Sequence, residues 1–170
     1  GDYDYIVVGA GTAGCVVASR LAQRPGTRVL LLEAGGSDQR VMIQLPIGYG
    51  RTFFDSRVNW MYETAPVPGL GGRTSYWPRG KVVGGSSAIN GMVYIRGLAS
   101  DYDHWRQMGN QGWSFDDCLP YFKRLESYPG GASELHGGDG PVKITRDEYR
   151  NEISETFLAA CAEVGLPSVA

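Results

Sequence analysis

Between Asp4 and Glu33 the chain carries one pattern that limits its fold more than any other. It reads Asp4-Tyr-Ile-Val-Val-Gly-Ala-Gly-Thr-Ala-Gly14 and closes on Leu30-Leu-Leu-Glu33. Tyr5 to Val8 is a short apolar run rich in β-branched residues, which predicts a strand buried on both faces. Gly9 permits a tight turn out of it. Gly11 leaves room for a pyrophosphate to approach the backbone, and Gly14 lets a helix pack closely on the strand. Val16, Val17, Leu21 and Ala22 are the expected sheet-facing side of that helix, and Arg24-Pro25-Gly26 ends it. Arg28 to Leu32 is a second strand. Glu33 lies 19 positions after Gly14, where an acid accepts hydrogen bonds from an adenosine ribose and repels a 2′-phosphate. Strand, turn, helix, strand and acid in register place phosphates at a helix N-terminus. The pattern implies an ADP-containing cofactor and by itself does not separate NAD from FAD.

The remaining composition excludes more than it assigns. With 170 residues, a net charge of −2 and a pI near 5.7, the chain offers no basic footprint for nucleic acid. No apolar run approaches transmembrane length, and the start reads as a strand, not a secretory signal. The expected location is cytoplasmic, with a leader before Gly1 left open. Cys15, Cys118 and Cys161 have no metal-type spacing and read as small buried hydrophobes. His104 and His136 have no zinc-type spacing and read as surface or loop-packing residues. No metal site is expected. The 25 glycines fall in clusters separated by aromatic and β-branched residues, which suggests many close backbone passes around an extended cofactor.

After Gly36 the strand–helix alternation stops. Residues 37–59 read as loop with short helical pieces, Trp60 to Thr64 as a brief extended segment, and Pro68 to Gly72 as a turn. Ala99 to Met108 predicts a short helix with Tyr102, Trp105 and Met108 on one face, followed by a turn at Asn110 to Trp113. Ser114 is the expected N-cap of a helix to Leu125, with Asp116 and Asp117 in its first turn. Gly137 to Gly140 is a turn and Val142 to Thr145 a strand. Asn151 to Val164 has apolar residues at 153, 157, 158, 161 and 164, the spacing of an amphipathic helix stopped by Gly165 and Pro167. Only two strands look parallel, and a doubly wound domain needs a third. The chain is therefore expected to be the N-terminal part of a longer or two-chain protein.

A second glycine-rich element follows at residues 79–97, Arg-Gly-Lys-Val-Val-Gly-Gly-Ser-Ser-Ala-Ile-Asn-Gly-Met-Val-Tyr-Ile-Arg-Gly. Its Gly84-Gly85-Ser86-Ser87 run is able to pass its backbone against a ligand with N–H groups exposed, and Asn90 offers both a donor and an acceptor. Taken with the opening pattern, Asn59-Trp60-x-Tyr62 and Gly80-Lys-x-x-Gly84-Gly-Ser-Ser-x-x-Asn90 resemble the glucose–methanol–choline oxidoreductases, a family of FAD flavoproteins. Asp101-Tyr-Asp-x-Trp105, Gly112-Trp113, Leu119-Pro-Tyr-Phe-Lys123, His136-Gly137 and Gly140-Pro141 continue the likeness over nearly the whole chain. It looks closest to choline dehydrogenase-like alcohol dehydrogenases and oxidases.

The resemblance implies an α/β fold: the N-terminal part of a Rossmann-like FAD-binding domain, then cofactor-covering loops and short helices, completed by a C-terminal part not in this chain. Residues 1–145 would belong to that domain and 146–170 would begin the segment leading to a substrate domain. Gly9, Gly11, Thr12, Ala13 and Gly14 would sit at the pyrophosphate, with Glu33 and Ala34 at the ribose. Trp60 and Arg79 would lie near the cofactor, Val83 and Gly85 along it, and Asn90, Gly91, Met92 and Val93 beside the flavin. Some relatives attach FAD through a histidine just before the asparagine; that position is Ile89, so non-covalent FAD is expected. The implied activity is oxidation of a primary or secondary alcohol, with a base from the C-terminal part and oxygen, a quinone or a dye as acceptor. No catalytic residue is assigned within this chain. A lyase-type relative, a flavin-binding part without activity of its own and an NAD dehydrogenase stand as alternatives.

Overall fold

Two short parallel strands and one helix form at the predicted positions because the glycines between them allow it. In the computed structural model, which describes residues 1–146 and 151–166, β1 (Tyr5–Val8) pairs in parallel with β2 (Val29–Leu32). The helix α1 (Thr12–Ala22) crosses between them. Gly9 has φ +94°, the conformation that turns the chain out of β1. At Gly14 a Cβ would stand 1.8 Å from the Gly9 carbonyl oxygen, so only glycine permits this approach of helix to strand.

Two expectations for this unit need correction. The buried stripe of α1 runs through Gly14, Cys15, Ala18 and Leu21, while Val16, Val17 and Ala22 are exposed. Gly14 brings the helix so close that small residues, not the valines, fill the contact. The strands are not buried on both faces either: Ile6 is 60% and Val8 81% exposed. Among the described residues only β1 and β2 share this sheet.

The chain then folds back across the ends of the two strands. After α2 (Val41–Gln44), a 3-10 turn and α3 (Tyr49–Thr52), β3 (Tyr62–Glu63) pairs antiparallel with β4 (Tyr76–Trp77). The second glycine element is laced onto the first. Gly84 N–H donates to Ala10 O at 2.7 Å, Val83 N–H to Gly36 O at 3.0 Å and Lys81 N–H to Val58 O at 2.7 Å. Under this lacing lies a small core of Val58, Val82 and Ile89, flanked by Ile43 and Ala88.

By compactness the chain divides into Gly1–Val93 and Tyr94–Ala170, and the expected boundary after 145 falls inside the second unit. That unit contains α4 (Ala99–Gln107), α5 (Phe115–Leu125), β5 (Glu126–Ser127), β6 (Val142–Lys143) and α6 (Glu152–Glu163). Ser114 caps α5 as predicted: its Oγ accepts the Asp117 N–H, and Asp117 accepts the Ser114 N–H in return. The strand expected over Val142 to Thr145 is two residues long and pairs in parallel with β5. The helix from Asn151 forms, but Ile153, Phe157, Leu158 and Val164 are all exposed. On α4, Tyr102 packs edge-on against Trp105, while Met108 beyond it is exposed. The proline stop at 167 lies outside the described residues.

The second unit is organised by a residue that no sequence pattern marks. Glu126 is 0% exposed. Its carboxylate pairs with the Arg96 guanidinium, meets His136 Nδ1 at 2.9 Å and accepts the Gly137 N–H at 3.1 Å. Burial pushes this carboxyl up, but the hydrogen bonds from His136 and Gly137 and the charge of Arg96 together hold it below the ordinary range. His136 also stacks on Tyr128, with centroids 4.0 Å apart. This makes it a loop-packing histidine, one of the two readings open from the sequence.

Candidate cofactor cleft

A cleft of about 840 Å³ opens where α1 begins. One wall is the turn itself, Gly9 and Gly11 to Gly14. The N-cap Gly11 supplies no side-chain acceptor, and no acidic residue stands in the first turn of α1. The first N–H groups of the helix and its positive dipole end therefore face the cleft without a competing side chain. The Gly11 Cα approaches the second glycine element, where a Cβ on Gly85 (φ +58°) would come within 2.8 Å of it. The two glycine loops thus cross backbone to backbone.

Glu33, at the end of β2, forms the floor. Its Oε2 accepts the Ala10 N–H and its Oε1 the Gly35 N–H, both at 2.8 Å. These bonds tie the turn after β1 to the end of β2 and fix the carboxylate at the cleft. Each oxygen keeps a lone pair for a further donor. Ala34 lies beside it.

The opposite wall comes from the β3–β4 region and the second glycine element, with Trp60, Tyr62, Arg79, Gly80, Gly85 and Ser86. Trp60 and Tyr62 are stacked, with centroids 5.9 Å apart and planes 4° from parallel, and Lys81 Nζ sits 4.5 Å from the Trp60 ring centroid. The Arg79 guanidinium lies 4.7 Å from the Trp77 centroid.

The structure thus brings Gly9, Gly11, Thr12, Ala13, Gly14, Glu33, Ala34, Trp60, Arg79 and Gly85 to one cleft. Val83, Asn90 and Met92 line a separate, smaller cavity of about 260 Å³, together with Tyr49 and Asp38. Gly91 and Val93 line neither, and Val93 is exposed. One expectation for the second element changes: the Gly84 and Gly85 N–H groups do not stand free, because they donate to Ala10 O and Val82 O. Val8, Leu32, Tyr62, Gly80 and Ser86 also line the cleft, and the sequence reading assigns none of them to the cofactor. Tyr62 had a signal, since it alternates with Trp60 on an extended segment.

A βαβ unit with an uncapped helix start, an acid at the end of its second strand and a laced-on second glycine loop defines a dinucleotide-type binding unit. Residues 3–170 match the family model for GMC oxidoreductases, and the chain belongs to that family. It is 48% identical over 97% of its length to the oxygen-dependent choline dehydrogenase of Photobacterium profundum, of which it covers 29%. Pyridoxine 4-oxidase from Mesorbium loti superposes with a TM-score of 0.88 at 34% identity, over 99% of this chain and 33% of that one. An FAD-dependent oxidoreductase from Chaetomium thermophilum gives 0.82 at 34% identity, over 99% and 30%. The chain therefore spans about 30% of the length of such relatives.

Proposed function

We propose that the cleft holds FAD non-covalently and that the chain is the cofactor-binding part of an enzyme oxidising a small primary or secondary alcohol to a carbonyl. The observation that carries this is Glu33, fixed by two backbone N–H groups beside the uncapped start of α1 and faced by Trp60 and Arg79. The N–H groups of α1 bind the pyrophosphate, Glu33 accepts ribose hydroxyls and its charge disfavours a 2′-phosphate. Membership of the family and the FAD-dependent relative support FAD over NAD. Bound flavin supplies the hydride-accepting chemistry.

What this chain's own residues do is bind and orient. Ile89, only 3% exposed in the core beside Val58 and Val82, has no nucleophile for covalent attachment. His136 is held by Glu126 and Tyr128, and His104 stands exposed on α4. Neither is assigned as the base. The base that takes the hydroxyl proton and the substrate pocket come from the C-terminal part. Oxygen, a quinone or a dye reoxidises the enzyme.

The test is the visible spectrum of the purified full-length protein. Flavin bands that bleach anaerobically with an alcohol, and yellow colour that stays in the supernatant after acid precipitation, are the expected results. A protein without flavin bands refutes the cofactor, and colour in the pellet refutes non-covalent binding. Flavin that no alcohol bleaches refutes the oxidation.

A further inference from the structure

We propose that Asn59 is a positioning residue that fixes the backbone from which Trp60 and Arg79 meet the cofactor. It rests on the reading that these two residues touch bound FAD. Asn59 is 2% exposed and lines no part of the cleft. Its Oδ1 accepts the Met61 N–H and the Arg79 N–H, both at 2.9 Å. Its Nδ2 donates to Phe53 O at 2.7 Å and to the Tyr76 hydroxyl at 3.0 Å. A carboxamide has two donors and two principal acceptor sites, and here all are used.

The two ends of this amide do different work. The donor end ties Asn59 to Phe53 and Tyr76, and the Tyr76 hydroxyl itself donates to Phe53 O, so this end anchors the loop before β3. The acceptor end faces the functional wall. It gathers the N–H of Arg79 and the N–H two residues along the chain, so that Trp60 lies between two fixed points. Trp60 N–H then donates to Arg79 O at 2.8 Å, which locks both residues into one ladder. Met61 is held at φ +53°, a conformation that a non-glycine residue keeps only where its surroundings enforce it. The Oδ1 bond to its N–H is what enforces it. Without that acceptor the chain relaxes at Met61 and the Trp60 ring leaves its stack with Tyr62.

The experiment uses full-length protein stripped of flavin and reads three quantities: the Kd for FAD, the thermal midpoint of the apoprotein and the quenching of Trp60 emission by FAD. The last is isolated by difference with a Trp60→Phe variant. Asn59→Ala is expected to raise the Kd at least about tenfold and to abolish the Trp60 quench. Asn59→Asp keeps the acceptor and loses the donors; its expected result is a lowered midpoint with Kd within about threefold of wild type and the quench retained. Tyr76→Phe is expected to behave like Asn59→Asp. A folded Asn59→Ala that binds FAD and quenches as wild type overturns the proposal. So does an affinity loss in Tyr76→Phe as large as that in Asn59→Ala, because the effect would then track stability alone. If Asn59→Ala does not fold, Asn59→Asp decides: loss of affinity and quench there overturns the role. Unchanged FAD binding in both Trp60→Phe and Arg79→Ala instead removes the premise, and marks the reading of the cleft as the part that failed.

Discussion

Glu126 shows what one buried side chain demands of its neighbours. A carboxylate removed from water is tolerated only when charge and hydrogen bonds replace the lost solvent. Arg96, His136 and the Gly137 N–H do this. Arg96→Ala leaves Glu126 buried and short of its cation, and should destabilise the protein by about 3–5 kcal/mol, read as a fall in the urea midpoint. The pH dependence has a definite sign. The folded carboxyl is held below its ordinary value, so its contribution is present above the unfolded pKa and is lost as pH falls through the depressed one. Thermal midpoints measured from neutral pH downward should drop in wild type, and this acid-side slope should flatten in Glu126→Gln. Neither Glu126 nor its partner Arg96 announces itself in the sequence, because a buried glutamate looks like a surface one until its partners, some from 30 residues away, are in place. The place of Glu33 at the cleft was legible for the opposite reason: it follows from local register alone. Gly14 was equally legible, and Gly14→Ala should weaken FAD binding by at least about tenfold, measured by flavin titration. Its Cβ collides with backbone at Gly9 and pushes the helix start out of place.

At the scale of elements, local chemistry and periodicity had unequal success. The cap of α5 depends on residues within four positions of one another, and Ser114 with Asp117 forms the expected reciprocal pair. Ser114→Ala should cost about 1 kcal/mol in a urea titration, with little change in flavin content, since nothing in the cleft depends on it. A loss below a few tenths would mean that the cap is redundant. The contact face of α1 departs from its most hydrophobic face because the stripe in contact is made largely of small residues. Hydrophobicity points to Val16 and Val17, whereas contact distance selects Gly14, Cys15 and Ala18. The lacing of residues 80–85 across Ala10 and Gly36 was out of reach altogether. It pairs backbone with backbone through glycines, and glycine carries no pattern that names its partner.

On the scale of the whole molecule, the exposed apolar residues are the informative ones. Ile6, Leu31 and Leu32 on the two strands, Val16 and Val17 on α1, and Ile153 and Phe157 on α6 all stand in the open. Among the described residues, a two-stranded sheet packed on α1 and a 12-residue helix whose Ile153, Phe157 and Leu158 are exposed are marginal on their own. The chain spans about 30% of the length of its relatives, and we expect these faces to be covered by the remainder of the fold. The expectation is separable by magnitude. A truly exposed Ile6 would accept lysine within about 0.5 kcal/mol, the usual range for surface substitutions. An Ile6 covered in the full-length protein loses about 1.5–3 kcal/mol of burial on replacement, and more once a charge is forced inside. Ile6→Lys in full-length protein should therefore shift the urea midpoint by the larger amount and reduce the flavin retained on purification, since β1 leads directly into Gly9. A midpoint within error of wild type would show that this face stays open to solvent and that the strand pair is completed on its other side alone.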